Sequence, residues 1–215
     1  MTTILRSNAL SLVLLAIFAA CLCAQVLFGH VAYDDELMRQ GARPIGMWSY
    51  LHSGHFLSAV MENWESEFLQ MGMYVLLTVH LRQRGSAESR PFEPAAESET
   101  IEAGPTPWPV RAGGLWRSLY ERSLSTAMFL LFAIAFAGHA VGSWMLESEQ
   151  RAASGLGPEG FIEHVSGAQF WFESMQNWQS EFLAVLSLVV LSIFLRQKDS
   201  PQSKPVEAPH RQTGA

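Results

Sequence analysis

The sequence predicts an all-α membrane protein with four transmembrane helices, built as two tandem two-helix repeats. Three observations predict it. The chain of 215 residues is 49% hydrophobic and 16% charged, too apolar for an ordinary soluble domain of this length. Its apolar residues are clumped into four stretches, each close to the roughly 20 residues a helix needs to cross a hydrocarbon core. The second half also repeats the first at a fixed offset of 114 positions.

The first apolar run, Ala9 to Gly29, carries no charge and defines a span over residues 9–29. Arg6 gives it a positive flank, and Phe18-Ala19-Ala20-Cys21 loosely resembles a lipoprotein cleavage box. The run continues past that point and has a counterpart in the third stretch, so a retained span is expected rather than a cleaved leader. Cys21 and Cys23 form C-x-C, which is neither a redox nor a zinc spacing. The following loop contains Ile45 to Leu51, which suits either an interfacial amphipathic segment or a lid. The second span covers about 60–81 and is apolar from Phe68 onward; it closes the first repeat, residues 1–84.

Residues 85–115 are rich in Pro, Glu, Ser, Ala and Gly, as is the tail, residues 199–215. Neither can bury enough apolar surface to offset its ordering entropy, so both are expected to be disordered. Between them the second repeat, 116–198, carries spans at about 124–146 and 172–195. Gly138-x-x-x-Gly142 in the third span and Ala16-x-x-x-Ala20 in the first would let helices approach closely.

Charge sets the expected orientation. Eleven Lys and Arg flank the spans on the side of the termini and the central linker, against Arg39, Arg43 and Arg151 on the other. The termini and linker are therefore expected in the cytoplasm, with a multi-pass location in a bacterial inner membrane. Trp48, Trp64, Trp144, Trp171 and Trp178 would then lie near the outer interface.

The repeat is most explicit where Asn63-Trp64-Glu65-Ser66-Glu67-Phe68-Leu69 recurs as Asn177-Trp178-Gln179-Ser180-Glu181-Phe182-Leu183. Leu81-Arg82-Gln83-Arg84 recurs as Leu195-Arg196-Gln197-Lys198, and sixteen of thirty-six positions from Phe56 match without a gap. Two spans per repeat is an even number. Both repeats would thus enter the membrane the same way up, related by a pseudo-twofold axis along its normal. The runs Ser53 to Phe56, Glu62 to Gln70 and Leu81 to Ser89 resemble an uncharacterised bacterial membrane-protein family, a domain of unknown function. That resemblance implies no activity, cofactor or catalytic residue.

Glu67 and Glu181 are the leading candidates for an intramembrane polar site, with Asn63, Asn177, Ser66 and Ser180 around them. Fourteen residues of helix separate Glu67 from Leu81, about 21 Å, which would put the carboxylate in the outer half of the core. Buried there, two carboxylates could share a proton or hold a cation. The structural alternative places them at the headgroup boundary, where Asn63 or Ser66 would cap the helix and Glu65 and Glu67 would favour its N-terminus. Arg82 and Arg196, with Trp64 and Trp178, are candidate lipid-headgroup contacts.

His55 and His139 are the remaining candidates, as an asymmetric haem or metal pair. No histidine recurs in the repeat, so a symmetric ligand pair does not exist. No phosphate-binding loop, nucleophile elbow, zinc-protease motif or nucleic-acid patch is present. The leading expectation is therefore a non-enzymatic protein without a cofactor, with a structural or envelope-maintenance role. Its partners would be the lipid bilayer and a second copy or another membrane protein. A small proton or cation transporter using the paired glutamates is the alternative, and a haem- or metal-binding redox protein the second alternative.

Overall fold

The computed structural model describes residues 2–93 and 101–214, with side chains from Leu5 onward; expectations for linker residues 94–100 lie outside the described residues. Among the described residues the chain is helical, without a strand. The elements are α1 (Thr2–Ser7), α2 (Ala9–Arg39), α3 (Met47–Leu51), α4 (Gly54–His80), α5 (Trp108–Ala112), α6 (Gly114–Tyr120), α7 (Ser123–Ala153), α8 (Phe161–Ser166) and α9 (Ala168–Phe194). The bounds of α7 and α9 equal those of α2 and α4 shifted by 114 residues.

Among the described residues three helices, α2, α7 and α9, are long and apolar enough to cross a membrane. Their apolar side chains face outward: nothing in the most apolar stretch of α2 is buried. A lipid environment explains such a surface, because a soluble chain rarely exposes so large an apolar patch. The four expected spans thus reduce to three by composition. The exception is α4, which matches α9 at 27 residues but carries Glu62, Glu65 and Glu67 in its first half.

Glycine stops the two longest helices in the same way. Gly41 and Gly155 adopt φ of 78° and 70° just past the ends of α2 and α7. The next amides, Ala42 N and Leu156 N, each donate 2.9 Å back to Leu37 O and Arg151 O. Each end is a Schellman turn, which satisfies terminal carbonyls that the helix leaves without partners.

The chain divides into two compact units, Met1–Met61 with Gly138–Phe170, and Glu62–Ala137 with Trp171–Ala215. In the first, α4 and α7 touch backbone to backbone: a Cβ on Gly142 would come within 2.5 Å of Ser58 N, and one on Gly138 within 2.7 Å of Met61 Cγ. The small-residue motif in the third predicted span permits this approach. In the second unit, Phe132, Phe136, Trp171 and Trp178 form one ring cluster.

The chain after α9, whose composition reads as solvated spacer, forms turns within the second unit. Lys204 is 1% exposed and donates to Gly85 O, to His210 O at 2.9 Å and to Gln212 O at 3.0 Å. The stretch after α4 folds like the stretch after α9. Ser89 Oγ accepts from Gln83 N at 3.0 Å and donates to Arg90 O at 3.2 Å; Ser203 Oγ accepts from Gln197 N at 2.9 Å and donates to Lys204 O at 3.1 Å. Gly85 and Asp199, equivalent positions, both have positive φ, 85° and 64°.

Candidate functional site

Two polar networks stand out, one in each unit. In the second unit the polar half of α4 meets α9. Asn177 Nδ2 donates to Glu62, and Trp178 Nε1 donates to Glu65 Oε1 at 3.1 Å. Glu65 is fully buried, at 0% exposure. Residues three apart share a helix face, which puts Glu62 and Glu65 on one side of α4; Glu67, about 200° further round than Glu65, turns away. Glu67 is accordingly exposed and Glu181 half-buried.

The motif residues named from the sequence therefore divide. Asn177 and Trp178 are donors, to the half-buried Glu62 and the buried Glu65 respectively. Ser66 and Ser180 fold back on their own helices, each donating 2.8 Å to the carbonyl of Asn63 or Asn177. That local bond is the usual refuge of a helical serine. Asn63 is exposed and Trp64 half-buried. Arg82 and Arg196 cap their helices, with Nη1 donating to Thr78 O and Ser192 O respectively.

Identity between the repeats does not mark Glu62 and Glu65 as a pair, because these are places where the repeats differ. Their equivalents are Gln176 and Gln179. Glu36 and Glu88 likewise correspond to Gln150 and Gln202. The first copy carries four carboxylates where the second carries four neutral amides.

In the first unit, His164 is 7% exposed and held at both ring nitrogens. Its Nδ1 is 3.3 Å from Glu159 Oε2, and its Nε2 is 2.9 Å from the Ser143 hydroxyl. The short α8 and the loop before it supply the imidazole and the carboxylate, and α7 the hydroxyl. Nearby on the same chain segment, Trp144 Nε1 donates 2.9 Å to Glu159 O and fixes the loop. A second imidazole, His30, lies 3.4 Å from Asp34 and 2.7 Å from Ile45 O. Tyr33 donates 2.9 Å to Glu149, and Gln150 donates 3.3 Å to Glu36. Tyr50, on α3, is buried among the rings of His30, Tyr33, His55 and Phe56, and burial pushes its phenol above the usual range.

His55 stacks on Tyr33 with ring centroids 4.6 Å apart, and His139 stacks on Phe170 at 4.9 Å. Among the described residues no group of three or more His, Cys, Asp or Glu could hold a metal ion.

A chain helical over its described residues, with three helices long and apolar enough to cross a membrane and a buried imidazole beside a carboxylate, is the class that fold and site define. The chain belongs to the family described as a domain of unknown function, DUF6766, whose model matches residues 1–215. No curated protein and no solved structure matches the chain.

Proposed function

We propose that the protein is a small membrane translocator of protons or monovalent cations rather than an enzyme or a passive structural element. The observation that carries this reading is the chain Ser143–His164–Glu159, a buried hydroxyl and imidazole and a half-buried carboxylate, with contacts of 2.9 and 3.3 Å. Imidazole is the side chain whose ordinary titration lies nearest neutral pH, and a carboxylate on one ring nitrogen orients it to exchange a proton through the other. Glu65, fully buried on a long helix, supports the same reading, because an ionisable group kept in such a place is costly and usually functional.

In this reading α4 is the fourth span, its polar half made tolerable by donors on α9. The termini and linker lie in the cytoplasm of an inner-membrane protein, following the distribution of Lys and Arg. The halves form parallel repeats about a pseudo-twofold axis. The 114-residue offset of the helix bounds supports that, as does the contact between the equivalent residues Glu36 and Gln150. The relay at the end of α7 takes the proton or cation-linked step at the outer face, and Glu65, with Glu67 and Glu181, takes the intramembrane one.

Proton and monovalent-cation flux into proteoliposomes tests the proposal. Flux in the wild type that falls at least about tenfold, the effect of removing a general acid–base group, in folded His164→Gln and Glu65→Gln variants supports it. Wild-type flux no greater than that of empty liposomes overturns it and leaves the non-enzymatic structural reading, in which these groups hold helices together.

A further inference from the structure

The second unit contains a cavity of about 480 Å³ between the end of α4, the turn that follows it, and α9. Its apolar lining is Leu77 from α4, Leu81 just beyond it, and Phe182, Val185, Leu186 and Val189 from α9. At one end stand a single cation and a single anion, Arg82 and Glu88. We propose that this groove binds one zwitterionic glycerophospholipid with a primary ammonium headgroup, of the phosphatidylethanolamine type.

The internal repeat shows what the arginine edge accepts. Arg82 and Arg196 are equivalent, and each spends Nη1 on the last carbonyls of its helix. Arg196 uses its other terminal nitrogen as well, with Nη2 donating 3.0 Å to Ala208 O of the folded tail. Arg82 Nη2 meets no acceptor among the described residues, and its guanidinium lines the groove. A phosphate oxygen is the strongest acceptor for that open edge.

Glu88 supplies the opposite charge. Its donors are neutral, the Tyr74 phenol at 3.0 Å and the Gln202 amide, so the position of a cationic partner is left to an ammonium. Position 202 of the second copy, equivalent to 88, is the uncharged glutamine itself. A groove with only Arg82 would favour an anionic lipid; the added carboxylate disfavours one and selects a headgroup carrying both signs. The acyl chain then lies along about 10 Å of α9 between Phe182 and Val189, covering side chains that otherwise face the cavity.

Native mass spectrometry on protein released from nanodiscs of equimolar phosphatidylethanolamine and phosphatidylglycerol tests this. One retained phosphatidylethanolamine, preferred about tenfold, is expected for a charge-assisted contact. Glu88→Gln keeps the shape and should invert the preference toward phosphatidylglycerol. Leu186→Trp fills the groove and should abolish retention of both. Retention without headgroup preference, a preference for the anionic lipid in the wild type, or an unchanged preference in Glu88→Gln overturns the proposal. So does retained lipid in a folded Leu186→Trp variant.

Discussion

Gln150 donates its side-chain amide to Glu36 at 3.3 Å, and these two residues occupy the same position in the two copies of the repeat. The contact joins α2 to α7, whose bounds differ by the same 114 residues. Two carboxylates meeting there would repel or share a proton, whereas a carboxylate and an amide form a plain hydrogen bond. Gln202 and Glu88 form the same pairing in the second unit. Replacement of one acid by its amide is thus a local electrostatic remedy that the duplicated chain applies twice.

Restoring the acid should undo the remedy. Gln150→Glu is expected to cost about 1 kcal/mol at neutral pH, from two half-buried carboxylates in contact. The loss should vanish below the carboxylate range, where one partner is protonated. Thermal unfolding in detergent at pH 7 and pH 4 checks it; equal destabilisation at both would show that charge is not the cause.

Trp178→Phe keeps the ring and removes the N–H that Glu65 accepts. Leaving a buried carboxylate short of a donor should cost about 1–3 kcal/mol. Adding Glu65→Gln to the same variant should recover part of the loss, because a neutral amide is less costly to bury. A double-variant cycle of unfolding free energies measures the coupling, and strict additivity would mean that the 3.1 Å contact contributes nothing.

Gly85 and Asp199 share a left-handed backbone, yet only Asp199 bears a side chain. Asp199→Gly is expected to stabilise the protein by up to about 1 kcal/mol, by relieving that strain. Gly85→Ala should do the reverse and by more, since its Cβ would also come within 2.5 Å of His210 O. Protease nicking of the chain after α9 reports both.

Lys204 carries a pH signature. Burial, and secondarily the nearby Arg196 guanidinium, lower its pKa from the usual 10.5. The folded state then binds fewer protons than the unfolded one between that lowered value and 10.5, so stability rises with pH across the window and is lost as pH falls through the folded value. Lys204→Met should flatten this rise. Unfolding of both proteins at pH 8, 9 and 10 decides it, and parallel curves would rule out Lys204 as the source.

Helix positions and the duplication are legible in the sequence, because hydrophobic length and exact recurrence are local signals. The glutamate site is only half legible. Asn177 and Trp178 stand in a visible motif, but their acceptors, Glu62 and Glu65, emerge only when two helices 113 or more residues apart are brought together. Glu67 is conspicuous because it recurs, and recurrence is a poor guide where two carboxylates in contact would repel. His164 gave no signal at all: its partners Ser143 and Glu159 lie 21 and 5 residues away on different elements, with no periodic spacing. The spacer-like composition of the tail likewise hides Lys204, whose burial depends on backbone carbonyls contributed by distant turns.

The absence of a side chain at Gly142, where it meets the Ser58 amide, has a mechanical consequence. Two helices separated by side chains can slide, because rotamers yield. Two that touch through their main chains cannot. The crossing of α4 and α7 is therefore a locked joint: Gly142 against the Ser58 amide and Gly54 against the Leu146 amide hold the two backbones together at two places, so neither helix can slide along the other there without separating from it.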